Sequence, residues 1–440
     1  MELKSFLPQS WWKPFANIFY SPAIPKLHPL LKQTKERFEY SLEEFEELDR
    51  EEVRILTLNL FMRPPGVKNN DDDFKEERFE EYLKLLDNYD IICNQELFTG
   101  LNSRKERFIS HAKKLGFIDH VVSTKPKLFE HFVIDSGLCI VSRFPIIKTA
   151  EMTYSRYAYS DSMSQKGALY ARIKIGKSTL HLFNTHLQAN YLHSDYTTYS
   201  YSIDYRDHHQ LQELSDFIDE QLADADDNCK IMIVGDFNIS SRPFSEATIE
   251  GLRELSKTYP EYKKMLDEDY DQLGEYKHLM NMLSKDGKYT VINLKKGLDQ
   301  EGETLDVVTF GDYIQNEDGS RSPAEVALTH RSDSMVATSI DYIFQLTKNQ
   351  QDVSGDCSKV KLIKKDPTMV SDREERDSKK FEDKLSFWKQ FEGIYDGQEL
   401  FINPTSLKQE KFLIEGREFT QMSDHYGLSV EVEWRGNKYS

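Results

Sequence analysis

Asp236 and Asn238 stand two residues apart in MIVGDFNIS (232–240), where an apolar run breaks at Gly235. Gly, Asp and Asn at a strand end are also ordinary turn residues, so the pair needs partners before it implies chemistry. The chain repeats one pattern, a polar side chain flanking an apolar strand. Asn59 follows VRILTL, Glu96 follows DIICNQ, His186 follows TLHLFNT, Asp341 precedes YIFQL, and Asp424-His425 precede YGLSVEV. Gathered at one sheet edge, these groups suit phosphodiester hydrolysis assisted by a hard dication. The oxygens of Glu96 and Asn59 match Mg²⁺, which takes few protein ligands and keeps waters; no His/Cys set has zinc spacing. His425 oriented by Asp341 can deprotonate water. Asp236 and Asn238 can hold that water and a phosphoryl oxygen, and His186 can donate to charge developing on phosphorus.

The elements that must position these residues are legible in outline. VRILTLNLF reads as a buried strand ending at Asn59, and ERFEEYLKLLDNY places Phe79, Tyr82, Leu83 and Leu86 at helical spacing. A helix over about 103–115, strands at DHVVS and SGLCIVSRFPI, and a hairpin turning at Gly176-Lys177 follow. A helix through HHQLQELSDFIDEQL returns to the strand CKIMIVGDFN, and ATSIDYIFQL and HYGLSVEVEW supply two more strands. Mixed strands, hairpins and helices predict an α/β fold, two packed mixed β-sheets flanked by helices in a four-layer α/β/β/α sandwich. The expected division is an N-terminal arm (1–52), a catalytic domain (53–434) and a short tail (435–440). Charged stretches at about 255–335 and 348–415 read as insertions. The second carries Phe381, Leu385, Trp388 and Phe391 on one helical face, expected to pack on the domain.

Composition narrows the function. A formal charge of -18, from 57 basic and 75 acidic side chains, repels polyanions, so no nucleic-acid partner is expected. A phosphate bridged by a dication is still compatible, because the ion inverts the local sign. No run reaches the roughly 18 apolar residues of a bilayer span. The four cysteines, Cys93, Cys139, Cys229 and Cys357, lack metal-ligand spacing and read as free thiols. With the one N-x-S/T sequon, Asn238-Ile239-Ser240, inside the candidate site, a cytoplasmic location is expected.

The words QE (Gln95-Glu96), NTHL (Asn184–Leu187), GDFN (Gly235–Asn238), IDYI (Ile340–Ile343) and SDH (Ser423–His425) occur in this order over 53–434. The set resembles the endonuclease/exonuclease/phosphatase superfamily, with its DNase I-like fold. More finely, NLFMRPPGVKNNDDDFKEER, DSGLCIVSRFPI, DSMSQKGALYARI and FTQMSDHYGLSVEV resemble neutral sphingomyelinases and inositol-phosphosphingolipid phospholipases C. The resemblance implies Glu96 as principal metal ligand, with Asn59 beside it and Asp424 next to the metal. It implies Asp236 and Asn238 on water and phosphate, His425 as general base paired with Asp341, and His186 stabilising the transition state. Lys166, in the KG step, would contact a phosphate oxygen, with Asp161 holding its loop and Arg206 and Gln210 ordering the site from a helix. The implied cofactor is Mg²⁺, with Mn²⁺ or Co²⁺ able to substitute, and the implied reaction cleaves sphingomyelin to ceramide and phosphocholine.

Such an enzyme meets a membrane sphingolipid at a surface, as a peripheral monomer. The first 33 residues carry Trp11, Trp12 and six further aromatic or aliphatic anchors with local positive charge, which fits interfacial contact and equally an arm packed over the core. Tyr191 and Tyr196, in a tyrosine-rich stretch after His186, fit a head-group wall, interface contact or packing within a loop. A nuclease or inositol phosphate phosphatase of the same fold would share the catalytic set. A lipid-binding protein without activity would be expected to have lost part of it.

Overall fold

A strand sends successive side chains to opposite faces, and here both faces of the long strands are covered. The structure, a computed structural model, describes residues 52–126, 133–192, 195–226, 229–297, 306–349 and 398–436. Trp11, Trp12 and the Phe381–Phe391 stripe lie outside the described residues. β1 (Glu52–Met62) turns Val53 and Ile55 to one face and Leu56, Leu58 and Leu60 to the other. Burial on both sides is why VRILTLNLF is apolar almost throughout. With β2 (Ile91–Leu97), β3 (Asp119–Val122), β4 (Cys139–Ser142), β13 (Gln398–Glu410) and β14 (Gly427–Gly436), it forms a sheet of order β13-β14-β1-β2-β4-β3. The second sheet uses β5 (Ile146–Thr153), β6 (Gly167–Ile175), β7 (Ser178–His186), β8 (Lys230–Asp236), β9 (Tyr289–Asn293) and β12 (Asp341–Lys348), in the order β5-β6-β7-β8-β12-β9. A separate hairpin pairs β10 (Tyr313–Gln315) with β11 (Arg321–Pro323).

Val53, Ile55 and Val430 from one sheet meet Leu169, Leu182, Val234 and Ile343 from the other in a single core. On the outside of the first sheet, α1 (Lys75–Leu83) and α2 (Arg104–Lys114) lay Phe79, Tyr82 and Phe108 on Leu58 and Val141. α3 (Tyr196–Tyr205) precedes α4 (Leu211–Gln221), and α5 (Glu246–Thr258) precedes α6 (Gly274–Ser284). α4 and α6 cover the second sheet with Leu214, Phe217 and Leu279. α3 and α5 enclose a small satellite cluster around Tyr199, Leu252 and Tyr262. The expected α/β/β/α layering is therefore present. Among the described residues no helix is long and apolar enough to cross a membrane.

The two charged stretches are not insertions throughout. β9 forms one edge of the second sheet and β13 one edge of the first. Both were hidden for a physical reason. β13 buries Leu400, Ile402 and Leu407, but a register shift between Asn403 and Lys408 breaks its period of two. β9 leaves Ile292 exposed, so its apolar residues do not mark a buried face.

A buried polar tie joins the sheets beneath one end of the sandwich. Gln95 Nε2 donates to Asn184 Oδ1 (2.6 Å) and Thr57 Oγ1 (3.0 Å), while Asn184 Nδ2 donates to the carbonyls of Asn94 (3.0 Å) and Cys139 (3.1 Å). Asn184→Ala strips partners from two carbonyls and from Gln95. At about 1–3 kcal/mol per orphaned buried group, unfolding in urea should show a loss of about 3 kcal/mol or more. An unchanged midpoint would mean that the tie adds nothing to stability.

Candidate active site

At that end of the sandwich the inward-facing row of each strand changes from apolar to polar. β1 runs Val53, Ile55, Thr57, Asn59; β2 runs Ile91, Cys93, Gln95; β7 runs Leu180, Leu182, Asn184, His186; β8 runs Met232, Val234, Asp236. β12 enters in reverse, Asp341 before Ile343. Strand register then sets these ends side by side. Gly167 lies opposite His186, His186 opposite Asp236, Asp236 opposite Asp341, and Asn59 opposite Gln95. Gly235, at φ 132°, permits a close approach: a Cβ there would sit 2.0 Å from the Thr185 carbonyl oxygen.

Glu96 departs from the alternation, because a φ of 56° turns it out of the pleat. Its Oε1 accepts from Asn59 Nδ2 at 3.3 Å, and its buried Oε2 has no partner. Asn59 Nδ2 also donates to Asp236 Oδ2 at 3.0 Å, while Asn59 Oδ1 accepts from the Phe61 N–H at 3.0 Å. Asn59 thus presents a donor, rather than a ligand oxygen, to both carboxylates. Burial pushes the Asp424 carboxyl up to about 7, with Glu96 adding to the rise and His425, Arg63 and Arg78 opposing it. Two neighbouring buried carboxylates, one with an orphaned oxygen, fit a hard divalent cation.

His425 Nδ1 pairs with Asp341 Oδ2 at 2.9 Å, and its Nε2 lies 3.9 Å from Asp236 Oδ2. The Phe310 ring, 4.9 Å away, covers the imidazole. Burial opposes a charge on this ring, but Asp341, Asp236 and Asp424 together outweigh it and push His425 up to about 10. Asp236 is itself pushed up to about 7, by burial first and then by Asp341. Asp236, Asp341 and His425 also bring ligand atoms within 4.8 Å of one another, a second place where a cation can be held.

The facing wall carries a buried lysine and a second histidine. Lys166 Nζ lies 3.0 Å from His186 Nε2, 2.7 Å from the Leu187 carbonyl and 3.0 Å from Asp161 Oδ2. Burial, then Lys166 and His425, hold His186 well below its ordinary range, so the ring is neutral. With the Lys166 ammonium donating to Nε2, the ring proton sits on Nδ1, which is buried without a partner. Asp236 Oδ1 accepts from the Asn238 N–H at 2.9 Å, and Asn238 Nδ2 donates to the Leu187 carbonyl at 3.0 Å. A π-helical turn, Arg206–Gln210, clamps the loops behind this wall. Arg206 Nη1 donates to the Asn238 carbonyl (2.8 Å), while Gln210 accepts from Gln188 N–H (2.8 Å) and donates to the Arg156 carbonyl (2.6 Å).

The structure thus gathers Asn59, Glu96, Lys166, His186, Asp236, Asn238, Asp341, Asp424 and His425. Tyr191 packs beside the Lys166 loop, its hydroxyl 2.6 Å from Ser160 Oγ and its ring 5.1 Å from Tyr159. Tyr196 instead packs on Tyr199 and Tyr262 and accepts from Lys264 Nζ at 2.5 Å, so it belongs to the satellite cluster. Gln188 was missed. Its Oε1 accepts from Ala158 N–H and its Nε2 donates to Asp161 Oδ2 (both 2.8 Å), which fixes the Lys166 loop. Its place right after NTHL was the available signal.

The model of the Endonuclease/Exonuclease/phosphatase family matches residues 56–291. A sphingomyelinase of Dictyostelium discoideum is 26% identical over 493 residues, covering 87% of this chain and 98% of that protein. Sphingomyelinase C of Bacillus cereus is 24% identical over 205 residues, 43% of this chain and 57% of the relative. The crystal structure of sphingomyelinase C from Streptomyces griseocarneus superposes with a TM-score of 0.49 at 12% identity, over 86% of this chain and 99% of that one.

Proposed function

The chain belongs to the endonuclease/exonuclease/phosphatase family, and from that premise we propose a Mg²⁺-dependent phospholipase C that cleaves sphingomyelin to ceramide and phosphocholine. The reading is supported by the His425–Asp341 pair, set 3.9 Å from Asp236 across from an unpartnered Glu96 oxygen. The named sphingomyelinase relatives supply the substrate class.

In this mechanism Asp341 fixes the imidazole through Nδ1, and Nε2 takes the proton of a water held by Asp236 and Asn238. That water attacks phosphorus, the bond to the ceramide oxygen breaks, and that oxygen takes a proton from solvent so that ceramide leaves as its alcohol, while the His425 imidazolium returns its proton to solvent. Lys166 and the His186 Nδ1–H meet the charge that builds on the phosphoryl oxygens. Mg²⁺ held by Glu96 and Asp424 would supply further positive charge there and relieve the carboxylate field that keeps His425 protonated. The enzyme would act as a monomer at the cytoplasmic face of a membrane. Its charge of -18 disfavours DNA.

The test is phosphocholine release from sphingomyelin in mixed micelles, with and without Mg²⁺, beside plasmid DNA. Metal-dependent release with intact plasmid supports the reading, and nicked plasmid with untouched lipid overturns it. Lys166→Met should lower kcat about 10²–10³-fold with little change in KM, because its ammonium serves the developing charge. A rise in KM alone would assign Lys166 to ground-state binding.

A further inference from the structure

Arg78, on α1, is among the largest fully buried side chains, and its guanidinium is spent entirely on main-chain carbonyls. Nε donates to Asp73 (2.7 Å), Nη1 to Leu60 (3.0 Å) and Met422 (2.8 Å), and Nη2 to Phe61 (2.9 Å). Three of those carbonyls belong to two segments that border the candidate cation site, one carrying Asn59, which donates to Glu96, and the other carrying Asp424. Leu60 and Phe61 directly follow Asn59, and Met422 directly precedes Ser423-Asp424-His425. Phe61 sits at φ 52°, placing its carbonyl beside that of Leu60 on the same guanidinium. The Ser423 hydroxyl closes the same gap by donating to the Asn59 carbonyl at 2.6 Å.

We propose that Arg78, with Ser423, is a positioning residue that sets the spacing between the Asn59/Glu96 wall and the Asp424/His425 loop, and through it the affinity for Mg²⁺. The inference rests on reading Glu96 and Asp424 as the cation's ligands. Mg²⁺ demands near-ideal octahedral geometry with ligands at about 2.0–2.1 Å, so a small change in spacing is costly. A lysine cannot take over, because its single nitrogen cannot span carbonyls on separate segments as a planar fork does. Outer partners that orient ligands typically matter by about 10–100-fold in metal affinity.

The test is a calorimetric Mg²⁺ titration of the wild type, Arg78→Lys and a control, Arg143→Lys. Arg143 is also buried and also holds carbonyls, those of Tyr89 and Leu115, and it pairs with Asp87 at 2.7 Å. It follows Ser142, which pairs with Ile91 at the end of β2 remote from Glu96. Arg78→Lys should weaken Mg²⁺ binding about tenfold or more, whereas Arg143→Lys should lower Tm with Kd unchanged. Equal Kd in folded Arg78→Lys and wild type overturns the proposal, as does an equal loss in both variants. Should Arg78→Lys fail to fold, Ser423→Ala must show the weakened Kd, and an unshifted value there overturns it. A wild type that binds no Mg²⁺ overturns the ligand reading and this inference together.

Discussion

His425→Ala is expected to abolish hydrolysis of sphingomyelin in mixed micelles, lowering kcat by about 10²–10⁴-fold, the usual worth of a positioned general base. KM should stay close to the wild-type value, because the imidazole acts on the attacking water and not on the bound lipid. Asp341→Asn should give a smaller loss of the same kind. The amide can keep the imidazole in place but cannot balance its charge, and Nδ1 pairs with Asp341 at 2.9 Å. The fold should survive both changes, since neither residue belongs to the apolar clusters between or outside the sheets. Unaltered turnover in His425→Ala would remove the imidazole from the reaction. Such a result would shift attention to Asp236, whose carboxyl is pushed up to about 7 and so can also exchange protons near neutrality.

Glu96→Gln should remove the response to Mg²⁺. Wild-type protein at a Mg²⁺ concentration about 100-fold above Kd should gain about 2.7 kcal/mol of stability by linkage, read as a rise in Tm. The variant should gain almost nothing. In the absence of cation the order should reverse, with Glu96→Gln at least as stable as wild type. Substitution removes a buried carboxylate that faces Asp424, at the oxygen that has no partner. The pH dependence follows from the same neighbours. Asp424, raised to about 7, is protonated below that value, so an incoming cation must displace a proton there. Mg²⁺ affinity should therefore be level above pH 7 and fall by about tenfold per unit below it, one proton lost per ion bound. A flat affinity from pH 5 to 8 would exclude Asp424 as a ligand.

Much of this centre was legible because strand alternation does the placing. Once an inward row is recognised on each of β1, β2, β7, β8 and β12, its last polar member must face the others. Asn59, His186, Asp236 and Asp341 could therefore be named from spacing alone; sheet pairing sets His186, Asp236 and Asp341 side by side, and a hydrogen bond joins Asn59 to Asp236. Other features leave no periodic trace. The turn of Glu96 depends on one backbone angle, and the way Asn59 faces depends on the Phe61 N–H. Arg78, Gln188 and Gln210 act largely through main-chain groups, which any sequence supplies. Edge strands β9 and β13 were lost among charges because only part of each is buried. Tyr196 resembled a surface tyrosine because its partner Tyr262 lies far along the chain.

The β6–β7 hairpin has a practical consequence. β7 spans nine residues from Ser178 to His186, so at about 3.3 Å per residue the Gly176-Lys177 turn lies about 30 Å from His186. A fluorophore attached to a cysteine placed in this turn would report on the enzyme from a distance, without touching a site residue. The same two strands that bring Lys166 and His186 together thus also provide a remote handle on them.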